Sequence, residues 1–158
     1  MNMRSRDLTS PSMARRHTYK ELTQMQRISN NAGEEMSIEE LYRCRTERGE
    51  LQCHRINAPD GMAGELIINI PVNEKNLSIE EVFVDRKFRN TGLGSSLLDF
   101  AEKTARILGY QNVELRPFST DPLIPDRTLH EWYTKRGYQP DGEKMCKKIN
   151  TENSRVII

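Results

Sequence analysis

A glycine-rich turn at the start of a helix is the part of the sequence best suited to chemistry. Residues 88–110 read FRNTGLGSSLLDFAEKTARILGY, in which Arg89, Gly92, Gly94 and Ser95 lead into a run with helical periodicity. The first N–H groups of a helix have no intrahelical partner and lie at the positive end of the helix dipole. Glycine keeps side chains away from them. These residues therefore predict a binding site for an anion, most simply a phosphate group.

The spacing of the glycines argues against two familiar nucleotide sites. A P-loop requires the pattern G-x-x-x-x-G-K-[ST], which Gly92 and Gly94 do not supply. A dinucleotide-binding loop requires a third glycine where Leu97 stands. What remains is the pattern Arg-x-x-Gly-x-Gly after a strand that ends at Val84. Such a loop can enclose one diphosphate with consecutive N–H groups, and the alternative is a glycine-containing helix start that binds nothing.

The elements around this loop predict an α/β domain whose sheet has mixed strand direction. Capping-box spacing between Ser37 and Glu40 predicts a helix over 38–48, ended by Gly49, and a weaker pattern indicates another over 19–28. Alternation and turn residues predict the remaining order. It comprises a hairpin around 58–61, a strand over 78–85, the loop and its helix ended by Gly109, a strand over 112–118, a helix from Asp126 to Gly137 and a hairpin around 140–142.

Length and composition indicate one domain without a dedicated nucleic-acid surface. The chain has 158 residues and a net charge of +1, whereas nucleic-acid binders usually carry a clear basic excess. Its three cysteines are far apart and are expected to be reduced thiols. No apolar run reaches membrane-spanning length, and we expect a cytoplasmic protein. We expect a disordered basic arm at 1–17, one domain at 18–149 and a loose tail at 150–158.

Several of these pieces, in this order, resemble the GNAT superfamily of acetyltransferases. That family has a strand ending in valine, then (Arg/Gln)-x-x-Gly-x-(Gly/Ala) and a helix, matched here by Val84 and residues 89–94. A further strand and a short helix with a tyrosine follow, matched by Tyr133 and the pair Gly137-Tyr138. The resemblance covers 78–149 well and the first 50 residues loosely. It implies a mixed, splayed central sheet with helices on both faces.

The resemblance implies acetyl-coenzyme A (acetyl-CoA) as the cofactor. Its diphosphate would lie on the loop formed by Arg89, Asn90, Thr91, Gly92, Leu93, Gly94 and Ser95, with help from the arginine charge and the serine hydroxyl. Its pantetheine would complete the gap between two splayed strands by bonding backbone groups near Phe83 and Val84. The family often has an asparagine that bonds pantetheine where this chain has Asp126, which can also serve as a helix N-cap. Lys135 and Arg136 either reach the 3′-phosphate or remain exposed cations.

The implied reaction moves an acetyl group from the thioester to a primary amine. An alkylammonium has a pKa of about 10.4, so a base must remove its proton before the nitrogen can attack. Glu80 and Glu81 are the candidates, and Glu80 is favoured because it has the parity of Val82 and Val84 and stands where the family often places a base. Tyr133 matches the family's acid beside the departing sulfur. Solvated strand carboxylates and a core tyrosine are the alternatives.

The acceptor and the alternatives to catalysis stay open at this stage. The run from Glu80 to Val84 looks locally like polyamine acetyltransferases, but any small amine, protein lysine or N-terminus fits the same chemistry. A catalytically silent GNAT-like binding module is one alternative. An acetyltransferase directed at a nucleic-acid or tRNA-linked amine is another, which would use the basic arm. A homodimer is left open, and no membrane partner is expected.

Overall fold

The chain folds around one mixed sheet. The computed structural model describes residues 27–29 and 35–149. Its strands lie in the order β1-β2-β3-β4-β5-β6-β8-β7. They are β1 (Arg27–Ser29), β2 (Glu35–Thr46), β3 (Gly49–Ala58), β4 (Gly61–Pro71), β5 (Asn76–Val84), β6 (Asn112–Leu115), β7 (Gln139–Asp141) and β8 (Lys144–Lys148). The helices are α1 (Leu93–Leu108) and α2 (Asp126–Lys135), and a 3-10 turn, Arg86–Phe88, precedes α1.

Strands β2 to β5 form an antiparallel meander, as apolar alternation and turn chemistry require. The predicted hairpin around residues 58–61 is confirmed, because Ala58 pairs with Gly61 across the turn. Leu66, Ile68 and Ile70 of β4 are buried, while the residues between them are partly exposed. This period of two places one face of β4 in the core.

The predicted helix over 38–48 is wrong, because this segment is strand β2. Ile38 pairs with Ile56, and the ladder continues to Thr46 opposite Gly49. Glu40, read as part of a capping box, instead accepts a hydrogen bond from Arg43 at 2.6 Å. A short isolated helix is marginal in water, so pairing along the whole of β3 outweighs its local propensity.

The terminal predictions lie largely outside the described residues. Of the predicted helix over 19–28, only Arg27 and Ile28 are described, and they belong to strand β1. The expected arm at 1–17 and the tail at 150–158 are not among the described residues. The strand at 112–118, the helix ended near Gly137 and the last hairpin are confirmed, with the strand ending at Leu115.

A parallel pair of strands produces the predicted splay. Strand β5 pairs with β6 in parallel from Asn76 opposite Asn112 to Ile79 opposite Leu115. Strand β6 ends there, whereas β5 continues to Val84 while still paired with β4. The second half of β5 therefore has one edge that none of the described strands covers.

Helix α1 packs on the sheet, and α2 lies next to α1. Leu97, Leu98 and Ala101 of α1 are buried against the sheet, and Gly109 ends that helix in a left-handed conformation with φ 82°. Tyr138, which follows α2, donates a hydrogen bond to Glu102 of α1 at 3.1 Å, so the two helices are neighbours. The predicted mixed α/β architecture with a splayed central sheet is confirmed. No described helix has the length and apolarity needed to span a membrane.

Candidate functional site

The loop before α1 is built to expose helix N–H groups. Asp85 accepts a hydrogen bond from the Lys87 N–H at 3.0 Å and starts the 3-10 turn. The Thr91 hydroxyl donates to the Phe88 carbonyl and holds the next turn. Asn90 and Gly92 then adopt left-handed conformations with φ 61° and φ 88°, which turn the chain into the helix at Leu93. Within the described residues no side chain caps α1, so its first N–H groups stay available.

A groove of about 1060 Å³ opens in front of these N–H groups. One wall is the uncovered edge of β5, and another is the start of α1. Helix α2 and the loop at 118–124 form the opposite side, where Phe118 and Leu123 are 70% and 74% exposed at the rim. The size is suited to a cofactor-sized ligand. The groove brings together most of the predicted cofactor residues, namely Phe83, Val84, Arg89, Asn90, Gly92, Leu93, Gly94 and Ser95.

The edge of β5 can bond a ligand through Val82 and Val84 rather than Phe83. The N–H of Asp85 donates to Ala63 on β4 at 2.9 Å, so the carbonyl of Val84, in the same trans peptide unit, points to the groove side. Arg89 Nε donates to that carbonyl at 3.1 Å. Because the backbone alternates with a period of two, the Val82 groups share this direction and those of Phe83 face β4.

A bulge in β5 overturns the parity that favoured Glu80. Ile79 pairs with Ile68 and Glu81 with Ile67, so one residue of β4 stands opposite both Glu80 and Glu81. Ile79 and Val82 therefore share the face of α1 although they are three residues apart. Glu80 does not have the parity of the valines. Both glutamates are exposed, and neither lines the groove.

The side chain of Arg89 is bound to another part of the chain. Its Nη1 donates to Asp121 Oδ2 at 2.6 Å, and Arg86 Nη2 donates to the other oxygen at 3.1 Å. The Arg89 hydrogen bond, followed by the Leu123 backbone N–H and Arg86, holds the pKa of Asp121 well below its usual range. The Asp121 carboxylate therefore competes with a diphosphate for the Arg89 side chain, which the sequence predicted to bind the diphosphate.

Gly94 allows α1 and α2 to approach closely. A methyl group at this position would lie 3.1 Å from Trp132 Cζ2, which is closer than ordinary van der Waals contact. The Trp132 ring in turn lies under the guanidinium of Arg136, 4.5 Å from the ring centroid. The second glycine of the motif therefore serves helix packing as well as access to the N–H groups.

Tyr133 lies in the wall of the groove. The residue is only 5% exposed and packs edge-on against Trp132 and Tyr138. Burial raises the pKa of its phenol to about 12. The hydroxyl makes no hydrogen bond to any described residue, whereas the neighbouring Tyr138 hydroxyl is bound to Glu102. Tyr133 is therefore a protonated donor without a partner among the described residues.

Asp126 and the buried His54 lie away from the groove. Asp126 is the first residue of α2 rather than its N-cap, which is Pro125, and its carboxylate accepts the Ser119 N–H at 3.0 Å. It does not line the groove. His54 is fully buried, with Nε2 donating to Gln52 at 2.9 Å and the ring 4.8 Å from that of Phe100. Burial lowers its pKa to about 4, which marks a core histidine.

Sequence reasoning missed Asp121 and Trp132 as parts of this site, whereas it considered Arg136 for the 3′-phosphate. Asp121 stands in a loop with two prolines and no periodic pattern. The one available signal was helical spacing, since Trp132 and Arg136 are four residues apart and share a face of α2.

Comparison with known proteins gives the family. The family model for the acetyltransferase (GNAT) domain matches residues 50–140, more than half of the chain. The chain belongs to the GNAT acetyltransferase family. The match includes the loop, α1 and α2 of this GNAT domain. No curated protein matches the sequence.

Solved structures support the GNAT fold. One is a Klebsiella pneumoniae protein assigned as an acyl-CoA N-acyltransferase, with a TM-score of 0.51, 23% identity and coverage of 63% of this chain and 73% of that one. A GNAT acetyltransferase from Staphylococcus aureus has a TM-score of 0.50, 17% identity and coverage of 63% and 68%. N-acetylglutamate synthase from Neisseria gonorrhoeae, in complex with coenzyme A and N-acetyl-glutamate, has a TM-score of 0.51, 15% identity and coverage of 62% and 26%.

Proposed function

We propose that this GNAT domain transfers an acetyl group from acetyl-CoA to a primary amine by direct attack. The observation that carries the proposal is the groove itself. It joins in one continuous cavity a helix N-terminus, a strand edge and a tyrosine hydroxyl, none of which has a partner among residues 35–149. The helix N-terminus suits the diphosphate of acetyl-CoA, the strand edge suits its pantetheine amides, and the tyrosine hydroxyl suits its sulfur atom.

The residues present fit the cofactor. The N–H groups of Leu93, Gly94 and Ser95 would hold the diphosphate at the positive end of the α1 dipole. The groove-facing N–H of Val84 and backbone groups of Val82 would bond the pantetheine amides as a missing strand does. Asp126 does not support this role from outside the groove. Acetyl-CoA supplies a thioester whose carbonyl carbon the amine nitrogen attacks, so that a C–N bond forms and the C–S bond breaks.

Tyr133 is proposed to stabilise the departing sulfur. With a pKa of about 12, its phenol is protonated at any physiological pH. A thiol has a pKa of about 8.5, so complete proton transfer from the phenol to the thiolate would be uphill by about 5 kcal/mol. The favoured role is therefore a hydrogen bond to the developing thiolate, while the proton released by the amine finally goes to solvent or to sulfur.

The base is proposed to be a glutamate of the β5 bulge that lies outside the groove. Glu80 and Glu81 are exposed next to the point where β5 separates from β6, and neither reaches into the groove directly. We retain Glu80 as the proposed base, with Glu81 as the alternative. A water molecule in the gap between β5 and β6 would relay the amine proton to the carboxylate. The bulge supports this role because it places two carboxylates opposite one residue, Ile67.

The acceptor is proposed to be a primary amine of a small molecule, a protein lysine or a protein N-terminus. A polyamine is the narrowest version and is supported only by the run from Glu80 to Val84. The catalytically silent GNAT-like module and a nucleic-acid or tRNA-linked amine remain the alternatives. A cytoplasmic location stays a prediction, as does a homodimer.

The test is incubation of the full chain with acetyl-CoA and separate panels of polyamines, amino compounds, lysine peptides and aminoacyl-tRNA. Mass spectrometry would detect products heavier by one acetyl group, compared with reactions that lack the protein, because thioesters acetylate amines slowly on their own. We expect one panel to give product far above that background. Binding of acetyl-CoA without any product would favour the silent module, and no binding would contradict the cofactor assignment.

A further inference from the structure

The charges that line the groove are unequally paired. Among the described residues that line it, the charged ones are Arg89, Asp121 and Arg136. Arg89 and Asp121 form an ion pair at 2.6 Å, in which both side chains are largely covered, at 27% and 11% exposed. The charge of Arg89 is therefore already balanced. Arg136 is the remaining charge of this set.

Arg136 lies in the groove, and no carboxylate of the described residues pairs with it. It caps the C-terminal end of α2, where a long cation would ordinarily extend into water. Its guanidinium instead lies over the Trp132 ring at 4.5 Å, and its Nε is buried without a hydrogen-bond partner. No ion pair is formed by Arg136 within the described residues. By contrast, Lys135 is exposed and does not line the groove.

The Trp132 ring connects this cation to the start of α1. One edge of the ring would touch a methyl group on Gly94, and Arg136 covers the same ring. A stacked guanidinium loses little conformational freedom when it binds, and its planar fork matches phosphate oxygens. The helix N–H groups and this cation thus face one cavity, and their charges add in attracting an anion.

We propose that Arg136, held by Trp132, binds a phosphate group of the donor and is the groove's principal cationic contact for it. The inference rests on the proposed use of acetyl-CoA. It names Arg136 as the residue that favours a donor with phosphate groups over one without them. Arg89 then has a different role, which is to fix the loop at 118–124 through Asp121. The phosphate is either part of the diphosphate or the 3′-phosphate, and both share this chemistry.

Calorimetric titration with coenzyme A and with dephospho-coenzyme A tests the proposal on the full chain. We expect Arg136→Gln to weaken coenzyme A binding about tenfold and to flatten the dependence of Kd on salt concentration, because a screened charge interaction is lost. Arg136→Lys should recover part of the affinity. The matched control, Lys135→Gln on the exposed neighbour, should stay within about twofold of wild type.

The second ligand identifies the phosphate, and either answer supports the proposal. If Arg136→Gln weakens both ligands equally, the contact is to the diphosphate, and if it weakens only coenzyme A, the contact is to the 3′-phosphate. An unchanged Kd would overturn the proposal, as would a weaker Kd with the wild-type salt dependence, which would mean that Arg136 only supports Trp132. If wild type itself binds neither ligand, the proposed function fails first.

Discussion

Arg89 in the loop before α1 and Asp121 in the loop before α2 are joined by a hydrogen bond of 2.6 Å across 32 positions of sequence. Asp121 also accepts from Arg86 and from the Leu123 N–H, so one carboxylate ties the candidate phosphate loop to the rim of the groove. The arginine of the motif thereby acts on the shape of the groove. Its side chain positions a loop, and we propose that the backbone after it binds the anion.

Asp121→Asn should lower the Tm by a few degrees at pH 7. The folded-state pKa of Asp121 lies below its unfolded value, so its contribution is present above pH ~4 and is lost as pH falls through the folded pKa. The Tm difference between wild type and variant should therefore shrink below pH 4. Thermal unfolding over this range measures it, with Asp60→Asn as the control, because Asp60 is 68% exposed in a 3.9 Å pair. A constant difference at all pH values would contradict the assigned role.

Ser95→Glu should weaken donor binding strongly without unfolding the chain. Ser95 is the third residue of α1 and lines the groove. A carboxylate in the first turn stabilises a helix but repels a diphosphate at the same N–H groups. We expect a Kd for coenzyme A at least about tenfold weaker than in the nearly isosteric Ser95→Gln. Equal affinities of the two variants would show that the diphosphate lies elsewhere.

Tyr133→Phe and Tyr138→Phe should have opposite effects. The Tyr133 hydroxyl bonds no described residue, so its loss should leave the Tm unchanged while kcat falls about 100-fold, as expected for the loss of one hydrogen bond to a developing negative charge. Tyr138 donates to the buried Glu102, so its loss should cost about 1–3 kcal/mol of unfolding free energy and leave kcat near wild type. Steady-state kinetics and denaturant unfolding of both variants separate the roles. Full activity of Tyr133→Phe would show that Tyr133 contributes to core packing and not to catalysis.

His54 should make the fold less stable as the solution becomes acidic. Its pKa is about 4 in the folded chain because burial disfavours the charged ring, against 6.5 when exposed. The unfolded chain takes up the proton first, so stability falls from about pH 6.5 to pH 4, by about 3 kcal/mol in total. His54→Gln should lose less stability over this interval, whereas the partly exposed His130→Gln should follow wild type. Denaturant titrations at several pH values measure the free energy of unfolding. If His54 were not responsible, this free energy would fall equally with decreasing pH in wild type and in His54→Gln.

The loop, α1 and the last three strands could be predicted from sequence because their signals are local. Gly92 and Gly109 mark positions that need a left-handed backbone, and the alternation of Val113 and Leu115 marks a strand with one buried face. The predicted cofactor loop also lies where the sequence placed it. These features depend on neighbouring residues, which a single sequence contains.

Strand β2 and the bulge at Glu80 could not be predicted in the same way. Ser37 and Glu40 have the spacing of a capping box, and only the partner strand β3 decides that the segment is extended. The bulge depends on which residue of β4 stands opposite each residue of β5, a register that no local pattern specifies. The role of Asp121 likewise depends on contacts made across 32 positions.

The central claim is that the N–H groups at the start of α1 hold the diphosphate of an acyl-CoA donor beside Tyr133. A crystal structure of the full chain grown with coenzyme A tests it most directly. We expect diphosphate oxygens at hydrogen-bonding distance from the N–H groups of Leu93, Gly94 and Ser95, with the sulfur near the Tyr133 hydroxyl. Coenzyme A bound at another surface, or a groove that stays empty at saturating ligand, would contradict the claim.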